Sequence, residues 1–352
     1  MPALQESVQA TKPERGDLTL TSDGSEPPCV VHLLMATCEG RSFIAEQLDS
    51  LAEQSHRAWT LTVSDDGSKD DTLERVAAFA KRVSQPVRVM AGPEQGATQN
   101  FVHLVHRVNW QDPDTAFLPQ NTDLFAFVDQ DDVWLPHKLA RAVRWHQEER
   151  RLDPRGLTAP LLYASATQEV DAFLRPQRVK SERLAQPELK LGFGGALTQN
   201  VIRGNTMVMN APLITIYQAI APHHCVWHDW TAYLVATACG GLVHVDPEVS
   251  VLYRQHADNV IGSQRGLLAQ WTRLRHIPSL RYRAWMDTNL AATEDMAPYL
   301  TPASRALRDR FQQIRALKSP IERMRQGFKC GLWRQSPGEQ AAFLLGLGLG
   351  WV

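Results

Sequence analysis

Three carboxylates fall within four positions, Asp129, Asp131 and Asp132, directly after the apolar run "LFAFV" and directly before "VWLP". Acids crowded at one point repel, so the arrangement calls for positive charge. Magnesium and manganese prefer oxygen ligands, and magnesium keeps phosphates and waters in its shell rather than an all-protein cage. A strand followed by D-x-D is therefore suited to a divalent metal on a phosphate. The plainer reading has Asp129 or Asp132 capping the helix that opens near Pro136, or simply solvated. A second acidic string, "VSDDGSKDD" (63–71), ends another apolar run and turns on Gly67. A carboxylate beside backbone donors can accept the N3–H of a pyrimidine; the same string also fits helix N-capping by Ser68 or Asp70. Further along, "WHDW" sets Asp229 at the opening of an apolar helix. There it is either a general base or an acid favoured by the helix dipole.

Three kinds of site use such acids. The EF-hand calcium loop needs alternating acids and a Gly at its sixth position; Val133 and Trp134 stand at positions five and six, so it fails. A phosphatase of the haloacid-dehalogenase kind would take Asp129 as nucleophile and Asp131 as acid, and "DQDDV" fits its string. That motif normally follows a domain's first strand, whereas here it follows the fourth, and no convincing acidic pair lies downstream. The third reading is a transferase acting on nucleotide-diphosphate sugars. A non-catalytic scaffold is a further alternative, against which the retained acids and "HDW" argue.

The elements that must hold these residues alternate. "CVVHLLMAT", "WTLTVSDDGS", "VRVMAG" and "LFAFV" read as strands, the first continuous enough to be buried on both faces. Between and after them "SFIAEQLDSLAEQS", "DDTLERVAAFAKRV", "ATQNFVHLVHRV" and "PHKLARAVRWHQEE" have helical spacing. This predicts an α/β fold, a mostly parallel sheet flanked by helices, with ligands beyond the carboxyl ends of the strands. The polar strings "TCEG", "DDGS" and "DQDD" all fall at such ends. Beyond residue 155 the pattern predicts a strand at "LLYASA", a polar Gly-rich stretch, a strand then helix in "TMVMNAPLITIYQAI", and a helix in "WHDWTAYLVATACG". Two short strands separated by Asp-Pro follow in "GLVHVDPEVSVLYRQH", and from about Gly262 the chain is basic and helical.

The chain has 352 residues with 43% hydrophobic and 21% charged, ordinary for a globular protein, and a net charge of −1 that excludes an obvious nucleic-acid binder. Five scattered cysteines form no C-x-x-C pair, which suits a reducing cytosol. Residues 1–28 are polar, without the apolar core of a secretory signal, and read as a flexible tail. No apolar run of about 20 residues predicts a bilayer-spanning helix. The C-terminal "AAFLLGLGLGWV" reads as a packed helix or, behind nine Lys/Arg in 303–334, as a shallow foot at the inner face of the cytoplasmic membrane.

In order along the chain, "LLMATCEGRSFIAEQLDSLAEQS", "VSDDGSKDDT", "GATQNF", "FVDQDDVWLPHKL", "GNTMVMN", "WHDW" and "YRQHADNVIG" resemble glycosyltransferase family 2. More narrowly they resemble its bacterial rhamnosyltransferase-like branch. The resemblance covers roughly residues 29–264 and implies the GT-A (Rossmann-like) fold over that span, with a helical C-terminal extension at 265–352. It implies an inverting transfer of a sugar, L-rhamnose from dTDP-rhamnose in that branch, to a glycan or lipid-linked glycan, with Mg2+ or Mn2+ as cofactor.

Position by position, the resemblance implies that Asp66 bonds the pyrimidine while Thr37 and Glu39 line base and ribose. Asn100, Arg254 and Gln255 complete the donor side, and Asp129 faces the ribose or sugar. Asp131, with His256 in reach, holds the metal, and Asp132 supports it. Asp229 is the catalytic base. Asn205, His228, Trp134 and Trp230 are placed as acceptor-side or supporting residues. The chain has Cys38 where many relatives carry an aromatic that stacks on the base.

Overall fold

The computed structural model describes residues 29–108, 120–152, 158–177, 189–256 and 280–352. The expected N-terminal tail (1–28) and the expected boundary at 264/265 lie outside the described residues. Four parallel units open the chain. Strands β1 (Val31–Thr37), β2 (Trp59–Asp65), β3 (Val87–Ala91) and β4 (Leu124–Asp129) alternate with helices α1 (Ile44–Ala52), α2 (Thr72–Ala80) and α3 (Ala97–Arg107). After β4 come the two-residue β5 (Val133–Trp134), α4 (Lys138–Leu152), β6 (Leu161–Val170), α5 (Phe193–Ala196), β7 (Val208–Asn210), α6 (Ala211–Gln218), α7 (His228–Ala238) and β8 (Leu242–Arg254). The sheet order is β3-β2-β1-β4-β7-β6-β8-β5. β1 pairs in parallel with β2 and β4, β2 with β3, and β6 with β8; β7 and β5 join antiparallel. This is the helix-flanked, mostly parallel sheet expected from the sequence.

Strand alternation explains why both faces are covered. Val31, Leu33 and Met35 of β1 point to one face, where they pack with Leu48, Leu51, Val76, Phe79, Leu139 and Val143 from α1, α2 and α4. Leu34 and Ala36 point to the other, onto Phe101, Leu104, Leu213 and Leu234 from α3, α6 and α7. A strand buried on both faces has no room for alternating polar residues, which is why β1 reads as a continuous apolar run.

The C-terminal helices α8 (Leu280–Asp295), α9 (Pro302–Ala316) and α11 (Pro337–Leu349) join that second face, through Met286, Leu290, Phe311, Ile314, Phe343 and Leu347, and α10 (Pro320–Lys329) packs on α11. Each of α9, α10 and α11 starts with a hydroxyl cap followed by Pro: Thr301, Ser319 and Ser336 accept from the backbone N–H three residues on. Glu322 and Glu339 sit at that third position, the spacing of a capping box.

One expectation is corrected. "GLVHVDPEVSVLYR" forms a single strand rather than two. β8 runs beside β6 throughout, and the register shifts where Asp246 pairs with Ser165 but Val249 pairs with Ala166. Pro247 lacks an N–H for the ladder, so the extra residues bulge out and pairing resumes beyond them. No helix among the described residues is long and apolar enough to cross a membrane.

Candidate active site

β4 is a central strand with Leu124 to Val128 buried, and its last residue, Asp129, emerges at the carboxyl edge opposite Ala36. The chain turns and lays β5 antiparallel against the end of β8, pairing Val133 with Leu252 and Trp134 with Val251. That pairing carries Arg254, Gln255 and His256 back to the acids. His256 Nε2 lies 2.7 Å from Asp131 Oδ2, with the imidazole packed on the Phe43 ring. Asp132 is fully buried; its carboxylate accepts from Asn205 Nδ2 at 2.5 Å and from Arg254 N at 3.1 Å. The Asp129 carboxylate makes no hydrogen bond among the described residues. Its pKa is held well above the ordinary carboxylate value by burial, then by the charges of Asp132, Asp131 and Asp229. Asp132 is also pushed up, by burial and by Asp131, against the opposing pull of Asn205 and Arg254 N–H. Below the acids Lys138 is buried, its pKa lowered to about 7 by desolvation although Asp132 opposes the shift. Its ammonium donates to Thr206 O and sits over the Trp134 ring.

Asp229 lies in the first turn of α7 and faces Asp129 closely enough to raise its pKa. Burial pushes Asp229 up to about 6, in spite of hydrogen bonds from the backbone of Trp230 and Gly204 and from the Asn200 side chain. His228, one residue earlier, stacks on Phe101 at 4.0 Å and meets Phe127 edge-on. Desolvation lowers its pKa to about 3, so the ring is neutral. Gly204 is required here by close approach: a Cβ at that position would stand 2.5 Å from His228 Nε2. The short turn Gly204–Thr206 thus touches three groups: Gly204 lies against Asp229, Asn205 bonds Asp132, and Thr206 accepts from Lys138.

The acidic turn after β2 is built differently. Asp65 Oδ1 accepts from the hydroxyls of Thr37 and Ser68, and Oδ2 from Ser68 N. Asp66 Oδ2 accepts from Gly96 N at 2.8 Å and Oδ1 from Glu94 N at 2.7 Å, tying down the loop between β3 and α3. Asn100, buried, donates from Nδ2 to Ser64 O. Glu39, in the left-handed region at φ 49°, accepts from Lys69 N. Gln130 ties the turn after β4 to the turn after β1, accepting from Cys38 N and donating to Cys38 O.

Comparison with known proteins decides the class. Residues 33–154 match the family described as Glycosyl transferase family 2. These residues are a family 2 glycosyltransferase domain. The chain is similar to the dTDP-rhamnosyl transferase RfbG of Shigella flexneri, at 27% identity over 255 residues covering 71% of this chain and 81% of that one. Among solved structures it is similar to S. aureus TarS 1-349 in complex with UDP-GlcNAc, at 13% identity and a TM-score of 0.49 over 91% of this chain and 90% of that one. It is also similar to the mannosyltransferase PcManGT from Pyrobaculum calidifontis in complex with GDP-Man and Mn2+, at 17% identity and a TM-score of 0.46 over 91% and 85%.

Within the glycosyltransferase domain and the residues that follow it, the structure gathers Asp129, Asp131, Asp132, Asn205, Asp229 and His256 at one edge, with Asp66, Thr37 and Glu39 along it. Several side chains expected at a ligand are turned inward. The Arg254 guanidinium is buried, donating to Asp131 O, Ala172 O and Glu46, and lying over Phe43. It shapes the acidic loop from beneath rather than facing a donor. Gln255 is held by Val170 O through its backbone and its amide donates to Arg254 O. Trp134 and Trp230 are core rings, the second donating to Ala196 O, so neither presents a face to an acceptor. Thr37 turns its hydroxyl to Asp65, and Asn100 joins strand ends. In each case burial between distant segments decides the side chain's direction, and local spacing carries no sign of it.

The residues not singled out from sequence are Asp65, Gln130, Lys138 and Asn200, and Ser68 is named there only as a helix cap. Only Asp65 carried a signal, as the first acid of "DDGS" at a strand end in register with Thr37.

Proposed function

We propose that this glycosyltransferase is an inverting enzyme that moves a sugar from a nucleotide-diphosphate donor to a hydroxyl of a glycan or lipid-linked glycan, with Asp229 as the base. The observation that carries the reading is the turn Gly204–Thr206, which lies against the proton-attracting Asp229 through Gly204 and bonds the acidic loop after β4 through Asn205. A base and a diphosphate site held by one three-residue turn suit a displacement in which the attacking hydroxyl and leaving group lie on opposite faces of the sugar. The similarity to a dTDP-rhamnosyl transferase makes dTDP-L-rhamnose the first donor to try.

The donor set suits Mg2+ or Mn2+. Asp131 carboxylate and His256 imidazole stand 2.7 Å apart, an oxygen and a nitrogen donor that a small shift opens toward a cation. Two protein donors are few, and that is the expected number where diphosphate oxygens and waters complete the shell. The cation, when bound, neutralises charge growing on the diphosphate.

The remaining chemistry belongs to the chain. Asp229, poised near pH 6, takes the acceptor's hydroxyl proton, and the hydrogen bond from Trp230 N aims its carboxylate. Asp129 faces the sugar or ribose of the donor, and Asp66 with Glu39 borders the base.

The test combines purified protein, Mn2+ or Mg2+, dTDP-rhamnose and a panel of UDP- and GDP-sugars, reading released nucleoside diphosphate. Turnover with dTDP-rhamnose is expected. Binding of no nucleoside diphosphate in the presence of metal would sink the proposal.

A further inference from the structure

The C-terminal hairpin of α10 and α11 carries an apolar surface that the sheet does not cover. The two helices pack antiparallel through small residues. Pro320 O and Met324 meet Gly348, and Gly327 meets Leu344 and Leu347. The inner flank of α11, Phe343 and Leu347, belongs to the buried cluster. The outer flank does not: Leu345 and Leu349, four residues apart, are 53% and 49% exposed. On α10, Ile321 and Phe328, seven residues apart, are 77% and 71% exposed, with Met324 between them on the same stripe. Antiparallel packing with Met324 against Gly348 puts both stripes on the same side of the hairpin. Trp351 continues the surface past the α11 cap.

Charge identifies the occupant. Lys318, Arg325 and Lys329 border the apolar stripe and are exposed. Lys318 and Lys329 make no ion pair among the described residues, and Arg325 pairs with Glu322. Residues 303–334 hold nine Lys/Arg against Asp309 and Glu322, in a chain whose net charge is −1. Of these basic residues, Lys318, Arg325 and Lys329 lie beside the exposed apolar residues, while Arg308, Arg315 and Arg334 pair with Glu294, Asp287 and Glu339. An apolar stripe with a basic edge and an aromatic at its end is the pattern of helices lying in the plane of an anionic bilayer.

We propose that α10 and α11 together form a peripheral docking face for an anionic lipid bilayer, with Ile321, Phe328, Leu345 and Leu349 entering the headgroup boundary. The face is not the C-terminal apolar end alone: α10 supplies the most exposed half of it. This inference is independent of the transfer chemistry, and its failure leaves that reading intact.

The experiment is vesicle co-sedimentation of the full chain, with phosphatidylcholine vesicles compared with phosphatidylcholine–phosphatidylglycerol vesicles. Binding to the anionic vesicles is expected, weakening as salt rises. The double variant Ile321→Glu with Phe328→Glu is expected to lower binding by about tenfold or more. Arg325→Gln with Lys329→Gln lowers it by about tenfold at low salt and much less at high salt. All four side chains are exposed, so melting temperature and nucleotide-sugar turnover stay at wild-type values. No wild-type binding to anionic vesicles overturns the proposal, as does unchanged binding of the Ile321/Phe328 variant. A wild-type dimer that this variant dissociates, without vesicle binding, also overturns it and assigns the face to a second copy.

Discussion

β1 lies between β2 and β4, and each of those neighbours ends in crowded carboxylates. The two ends solve the crowding in opposite ways. After β2, Asp65 and Asp66 accept hydrogen bonds from Thr37, Ser68, Glu94 and Gly96, so the charge is matched within the fold. After β4, the Asp129 carboxylate has no hydrogen bond among the described residues, and Asp129 and Asp132 are driven toward the protonated form by burial and by neighbouring acids. A saturated acid organises a loop, whereas an acid left short of donors stores an unmet demand for positive charge. We infer from this contrast that the first turn serves mainly stability and the second mainly ligand.

The sharpest break in that comparison comes from Asp131→Ala. Turnover is expected to fall by about 10³-fold or more, with donor binding lost, because the carboxylate beside His256 is gone. Chemical denaturation should show stability unchanged or raised, since one of three repelling acids has been removed. A variant that unfolds readily yet still binds donor would reverse the assignment of the two turns.

Asp229→Asn comes next. Donor affinity is expected to remain while transfer falls by about 10²–10⁴-fold, the range for loss of a general base. The wild-type pH profile carries the same information. Asp229 acts only when deprotonated and its pKa is raised to about 6, so kcat/KM rises with pH up to about 6 and levels above it. Asp229→Asn removes that limb. Wild-type transfer by Asp229→Asn, or a profile flat from pH 5 to 8 in the native enzyme, would show that another group takes the proton.

How much of this was visible in the chain differs between the turns. "DQDD" after an apolar run and "HDW" opening an apolar helix announce chemistry locally, because strand ends and helix starts are short-range features. The division of labour between Asp65 and Asp66 is not local. It depends on Thr37, 28 residues away, turning inward in register with Asp65, and on the loop at 94–96 folding over Asp66. Gln130 is similar: it stands between the acids in sequence but binds the backbone of Cys38, 92 residues earlier. Arg254 looks like an anion binder in "YRQH", yet Phe43, Glu46 and Ala172 enclose it. β8 reads as two strands because Pro247 interrupts the pattern; only pairing with β6 shows that the ladder resumes.

Asp66→Ala probes the saturated turn. It deletes the acceptors for Glu94 N–H and Gly96 N–H, and the expected cost is about 2 kcal/mol of stability, read from urea unfolding. Donor affinity should fall only as far as the loop loosens, and Asp66→Asn, which keeps an acceptor oxygen, should recover part of the stability. If Asp66→Ala leaves unfolding unchanged and abolishes nucleotide binding, the turn serves the base directly, as the family resemblance implies, and the contrast with β4 disappears.

The smallest effect tests the unmet demand itself. Mn2+ added at about ten times its dissociation constant should raise the melting temperature by about 2 °C for a chain of this size. The increment arises because the folded state alone presents Asp131 and His256 together, so the ion binds it in preference to the unfolded chain. Asp131→Ala should abolish the increment, while Asp66→Asn, which leaves the β4 acids untouched, should keep it. An increment that survives Asp131→Ala but vanishes in Asp66→Asn would move the cation to the turn after β2, and the two carboxylate clusters would have to exchange roles.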